Sequence, residues 1–165
     1  SALLILVCSC IESNVSELNK MEVLEVLEPV SEESQTLIPE FVNATLFKIT
    51  DTIIADFNGD GNLDRAIFKK EKETSGIVIF HSEINQEVRI GFGTRFAHLE
   101  DFNWVDFWGL VNDKKTYEVV IEDSEIVGEK DVELMNPSIV LRKDEMGGGL
   151  ITYKEGKYVW IHQAD

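Results

Sequence analysis

Beyond Phe41 the chain is written almost entirely in short β-branched and aromatic runs separated by turn residues. These are FVNATLFKIT (41–50), TIIADF (52–57), RAIF (65–68), GIVIF (76–80), EVRIGF (87–92), WVDFWGLV (104–111), YEVVI (117–121) and SIVL (138–141). A terminal hairpin follows, with Leu150–Tyr153 and Tyr158–His162 joined by a Lys-Glu-Gly turn at 154–156. Runs of this length and spacing read as strands, and no long 3.6-residue period competes with them. The expectation is one all-β domain over 41–165, of about nine short and mostly antiparallel strands. The segments 133–137 and 144–149 read as loops, with Gly147-Gly148-Gly149 a flexible lead into the last hairpin. If 104–111 is extended, Trp104, Asp106 and Trp108 share one side of the strand.

The N-terminal quarter has a different grammar. Residues 1–10, SALLILVCSC, hold an unbroken apolar run from Ala2 to Val7 that is too short to span a membrane. It fits the apolar region of a secretory signal clipped at its N-terminus. Val7-Cys8-Ser9-Cys10 resembles a bacterial lipobox, which implies lipidation at Cys10 and a membrane anchor through that lipid. C-x-C lacks the redox spacing, and no later Cys completes a zinc site or a disulfide. Residues 11–40 carry eight Glu and one Lys, with Pro29 and Pro39 as breakers. Glu22, Glu25 and Glu28 repel one another at helical spacing, so an acidic flexible stalk is expected here, or else a short amphipathic helix around 21–27.

Charge narrows the choice of partner. The chain has 31 acidic and 15 basic side chains, a net charge of −16. Nucleic acid is excluded as a partner by this balance, because phosphate binding requires a basic face that displaces counterions. Electrostatic docking on anionic lipid is disfavoured for the same reason. Capture of cations is favoured.

One segment carries chemistry. Asp56-Phe57-Asn58-Gly59-Asp60-Gly61-Asn62-Leu63-Asp64 places oxygen-bearing side chains at alternate positions of a tight loop, with Gly61 at the sharp turn. Calcium takes six to eight hard oxygen ligands, and Asp56, Asn58, Asp60, Asn62 (through its backbone carbonyl) and Asp64 can supply them. An EF-hand requires Glu at position 12, where this chain has Ile67, and strand-like runs flank the loop. Over Ile54–Phe68 the segment resembles the calcium loop of FG-GAP and VCBS repeats, the blades of integrin-type β-propellers. That resemblance implies a strand–loop–strand hairpin that binds calcium. One copy in about 125 residues is too few for a propeller of four or more blades, so the hairpin is expected within a smaller β domain. The layout of lipobox, acidic stalk, calcium-type loop and terminal GGGLITYKEGKYVWIHQ also resembles envelope lipoproteins of Bacteroidetes-type bacteria, which implies an outer-membrane location and brings no activity with it.

Other groups point less clearly. His81, His98 and His162 lie in separate runs without zinc-protease spacing, and neither G-x-S-x-G nor a P-loop is present. Glu100, Asp101 and Asp106 are a formal carboxylate set for glycoside hydrolysis. Trp104 and Trp108 are a possible ligand-binding platform, against the commoner role of strand aromatics as core. The expectation is therefore a non-enzymatic, calcium-stabilised module of the cell envelope that binds protein or glycan. An envelope or glycan hydrolase and a purely structural envelope lipoprotein are the alternatives.

Overall fold

The computed structural model describes residues 38–82, 86–144 and 146–163. Cys10, the segment 1–10 and all of 11–40 except its last three residues lie outside that range. Eleven strands run in chain order: β1 (Ala44–Phe47), β2 (Thr52–Ala55), β3 (Asp64–Glu71), β4 (Thr74–His81), β5 (Gln86–Gly91), β6 (Phe107–Val111), β7 (Lys115–Glu122), β8 (Glu125–Glu133), β9 (Ser138–Lys143), β10 (Gly147–Lys154) and β11 (Lys157–Gln163). No helix occurs among the described residues, and every strand pair is antiparallel. The domain is all-β and is not a propeller. It has one sheet ordered β1-β6-β9-β10-β11, a second that is the meander β2-β3-β4-β5, and a two-stranded ribbon β7-β8.

The two larger sheets bury their facing sides against each other. Ile53, Ala66, Phe68, Ile77, Ile79 and Ile90 of the meander meet Trp108, Ile139, Leu141 and Ile151 of the five-stranded sheet. The opposite face of the five-stranded sheet is covered too. Its cross-strand row Val140, Leu150 and Ile161 packs with Ile38, Phe41 and Leu134. Burial on both faces explains why β9 and the middle of β10 read as continuous apolar runs rather than alternating ones. It also carries the packed domain back to Ile38, which is 1% exposed. Full burial of such a side chain contributes roughly 1.5–3 kcal/mol. Glu40 is held on the same sheet by an ion pair with the buried Arg142.

Several local expectations change. Residues 104–111 are not one strand: β6 begins at Phe107 and Trp104 lies in the turn before it. Trp108 is 0% exposed, packs edge-on against Phe68 and donates its indole N–H to the Lys48 carbonyl at 2.8 Å. It is a core residue, which corrects its assignment to a ligand platform. Gly147–Gly149 is the start of β10 rather than a flexible lead. A Cβ at Gly148 would lie 2.0 Å from the Leu141 carbonyl oxygen, and one at Gly149 would lie 2.3 Å from that of Ile161. The terminal hairpin forms as expected, Lys154 pairing with Lys157 across Glu155 and Gly156. The β7-β8 ribbon turns through Asp123 and Ser124, both at positive φ, as a two-residue hairpin turn of type I′ requires. The Gln163 amide joins the ribbon's base to the body, donating to the Thr116 hydroxyl and to the Tyr117 carbonyl.

Candidate metal loop and its buried anchor

Residues 56–63 connect β2 to β3, whose register Ala55↔Asp64 brings the loop ends together. Within the loop, backbone N–H groups converge on carboxylates. Gly59 and Asp60 donate to Asp56 Oδ1 at 2.7 and 3.0 Å, and Gly61 donates to Asp56 Oδ2 at 2.9 Å. Asp60 N–H also reaches Asn58 Oδ1 at 3.1 Å, and Asn62 N–H reaches Asp60 Oδ1 at 2.8 Å. The Asn58 amide donates to Asp60 Oδ2 at 2.8 Å. Gly61 sits at φ +89°, a conformation open to residues without a Cβ. The Asn58 amide and the Asn62 N–H hold the fully exposed Asp60 carboxyl below its usual range. The loop is thus wired around ionised carboxylates.

Asp64 faces the other way. It is 1% exposed and leads the inward series Asp64, Ala66 and Phe68 of β3. Its Oδ2 accepts the Phe57 N–H at 3.1 Å and lies 3.1 Å from His81 Nδ1, while Oδ1 accepts the Ser82 N–H at 3.3 Å. His81 Nε2 in turn lies 3.3 Å from the Tyr158 hydroxyl, and the two rings stack at 12°. The chain Asp64–His81–Tyr158 therefore runs from the root of the loop, through β4 of the meander, to β11 of the five-stranded sheet. The order carboxylate, imidazole, hydroxyl parallels a hydrolytic triad. Here the terminal group is a phenol whose pKa burial and the Asp64 charge push upward, and it links the two sheets.

Sequence spacing joined Asp56, Asn58, Asp60, Asn62 and Asp64 as one ligand set. The structure connects Asp56, Asn58, Asp60 and Asn62 by hydrogen bonds and commits Asp64 to inward partners. Among the described residues no three His, Cys, Asp or Glu side chains converge as a metal-holding group. What the outer loop offers is hard oxygen: the Asp56 and Asp60 carboxylates, the Asn58 amide oxygen and the Asn62 carbonyl. That donor chemistry fits calcium, with water completing the shell. Asn136, from the β8–β9 connection, was not legible as a neighbour. Its side chain packs over Gly59 so closely that a Cβ there would lie 2.5 Å from its Oδ1. His81 and Tyr158 were also missed as partners of the loop. The alternation Ile77, Ile79, His81 carried a signal, since it places His81 on the buried side of β4.

The remaining sequence candidates separate. Asp101 Oδ1 accepts the Asn103 N–H at 2.9 Å within a local turn, and Asp106 Oδ2 accepts the Asp144 N–H at 3.0 Å, tying the start of β6 to the end of β9. Trp104 is half-buried, packing edge-on against Phe102 and Trp160 and donating to the Asp101 carbonyl at 3.2 Å. Comparison with protein-family models, curated proteins and solved structures returns no match for this chain.

Proposed function

We propose that this chain is a lipid-anchored protein of the cell envelope, held in the outer membrane through Cys10, whose β domain is stabilised by calcium and serves as a non-enzymatic binding module. The observation that carries the reading is the convergence of the Gly59, Asp60 and Gly61 N–H groups on Asp56. It orders the outer loop without metal and leaves acidic oxygens at its rim. A cation there offsets the repulsion between Asp56 and Asp60 and tightens the connection between β2 and β3. When bound, calcium supplies charge neutralisation and cross-linking of the loop. The chain's own residues hold that loop on the sandwich through Asp64.

The bound partner in this reading is a protein rather than a glycan. Burial of Trp108 removes the two-tryptophan platform. The β7-β8 ribbon instead carries exposed Ile121, Ile126 and Val127 beside its turn, with β8 open along its outer edge. Apolar side chains on an open strand edge are features of protein-binding surfaces. Titration calorimetry with calcium tests the metal part, with an expected dissociation constant on the order of 0.1 to 1 mM, as in extracellular modules. Silence at millimolar calcium overturns it. Membrane fractionation of the full-length protein tests the anchor: Cys10→Ser is expected to release it or block its maturation, and unchanged membrane retention contradicts lipidation.

A further inference from the structure

We infer that His98, His162 and Met146 form a site for monovalent copper, separate from the acidic loop. The three residues come from different parts of the chain. His98 sits in the turn closed by the Phe96–Leu99 backbone pair, where Ala97 takes φ +55°. His162 is on β11, and Met146 is in the turn that opens β10. All three line one trough of about 260 Å³ together with Leu99, Trp104 and Trp160. The trough floor is the bare backbone of Gly147 and Gly148, where Leu141's carbonyl leaves no room for a Cβ at Gly148.

The geometry of the imidazoles is that of a shared ligand pair. Their ring centres lie 5.3 Å apart at 87°. Two ring nitrogens each about 2.0 Å from one ion bring their ring centres to roughly 5–6 Å. His162 Nδ1 is buried and has no hydrogen-bond partner in the protein. An unpartnered buried nitrogen is costly unless something occupies it.

The donor set selects the ion. Imidazole suits several transition metals, whereas a thioether donor selects the soft copper(I). Among the described residues no carboxylate or thiolate lines the trough, and the Lys143 side chain there disfavours a divalent charge. The Trp104 and Trp160 rings, edge to face at 6.3 Å, wall the site with aromatic surface that excludes water and attracts a monovalent cation. The net charge of −16 draws cations to the protein as a whole.

The test is an anaerobic titration with copper(I) against a chromogenic chelator. It uses the full chain with Cys8 and Cys10 replaced by Ser, so that thiols do not compete. The expected result is one equivalent bound, with quenching of tryptophan fluorescence. His98→Ala and Met146→Leu should each weaken binding by at least about tenfold while leaving the melting temperature within a few degrees. Both are chosen because His162, packed in the sheet, is more exposed to the objection that its loss unfolds the strand. Calcium at millimolar concentration should leave the copper affinity unchanged. Absence of binding, affinity unmoved by both substitutions, or zinc(II) bound as tightly as copper(I) would each overturn the assignment.

Discussion

Asp60 and Asp64 lie four residues apart in one loop, share a side chain and were read from the sequence as equivalent ligands. In the fold they do opposite work. Asp60 is exposed and held between the Asn58 amide and the Asn62 N–H. Asp64 is buried, takes two backbone N–H groups and touches His81, which reaches Tyr158 on the other sheet. The outer half of the loop is arranged around an exposed charge, the one proposed to take a metal, and the inner half around a buried charge already satisfied. The comparison teaches that one acidic loop motif can split into an exposed half and a buried rivet, with strand register deciding which acid does which. Position 64 opens β3 on the inward side, and position 60 lies in the connection between β2 and β3.

The inner end should show the largest effect. Asp64→Ala leaves the buried Phe57 N–H and the Ser82 N–H without their acceptor and removes the carboxylate beside His81. It is expected to destabilise the domain by about 3–5 kcal/mol, as removal of one member of a buried polar pair does. Urea unfolding in calcium and in chelator should show the same loss, and a change under about 1 kcal/mol would mean that Asp64 is no anchor. Ile38→Ala gives a purely apolar reference for that number: its cavity beneath the five-stranded sheet should cost about 2–5 kcal/mol. A negligible cost would place residue 38 outside the core. Further along the inner chain, Tyr158→Phe removes one hydroxyl and should cost about 0.5–1.5 kcal/mol. No loss would show that the tie between the sheets ends at His81.

At the outer end the effects are smaller and electrostatic. The Asp60 pKa lies below its ordinary 3.8 because Asn58 and Asn62 stabilise the charged form. Any stability it contributes is therefore present above that ordinary value and lost as pH falls through the lowered one. Following the Asp60 carboxyl carbon by NMR should give a midpoint under 3.8, and Asn58→Ala should move it back toward 3.8. A midpoint unchanged by Asn58→Ala would mean that the outer wiring is not formed in solution.

How far the sequence reveals this arrangement depends on burial. β9 and β10 announce themselves because both faces are covered, so Ile139-Val140-Leu141 and Leu150-Ile151 are unbroken apolar runs. β8, EIVGEKDVE, is exposed almost along its whole length and is held by pairing with β7, so no hydrophobic period marks it. The loop was legible as local oxygen spacing. Its anchor was not, because His81 and Tyr158 are brought in by tertiary pairing 17 and 94 residues later. Trp104 and Trp108 were placed on one strand face because a strand was extended across Asp106, where the chain turns. The backward reach of the core to Ile38 was hidden by the acidic residues that surround it.

The account rests most heavily on the division between Asp60 and Asp64, and thermal melting of three proteins in calcium and in chelator tests it most directly. Wild type at about 1 mM calcium should gain roughly 0.4–1.4 kcal/mol by mass action, a rise of about 1 to 8 °C. Asp60→Ala should lose that rise, yet in chelator melt no lower than wild type, since it relieves repulsion with Asp56. Asp64→Asn should melt well below wild type in both conditions and still rise with calcium. Identical wild-type melting with and without calcium would contradict the account, as would an Asp64→Asn protein that loses only the calcium response.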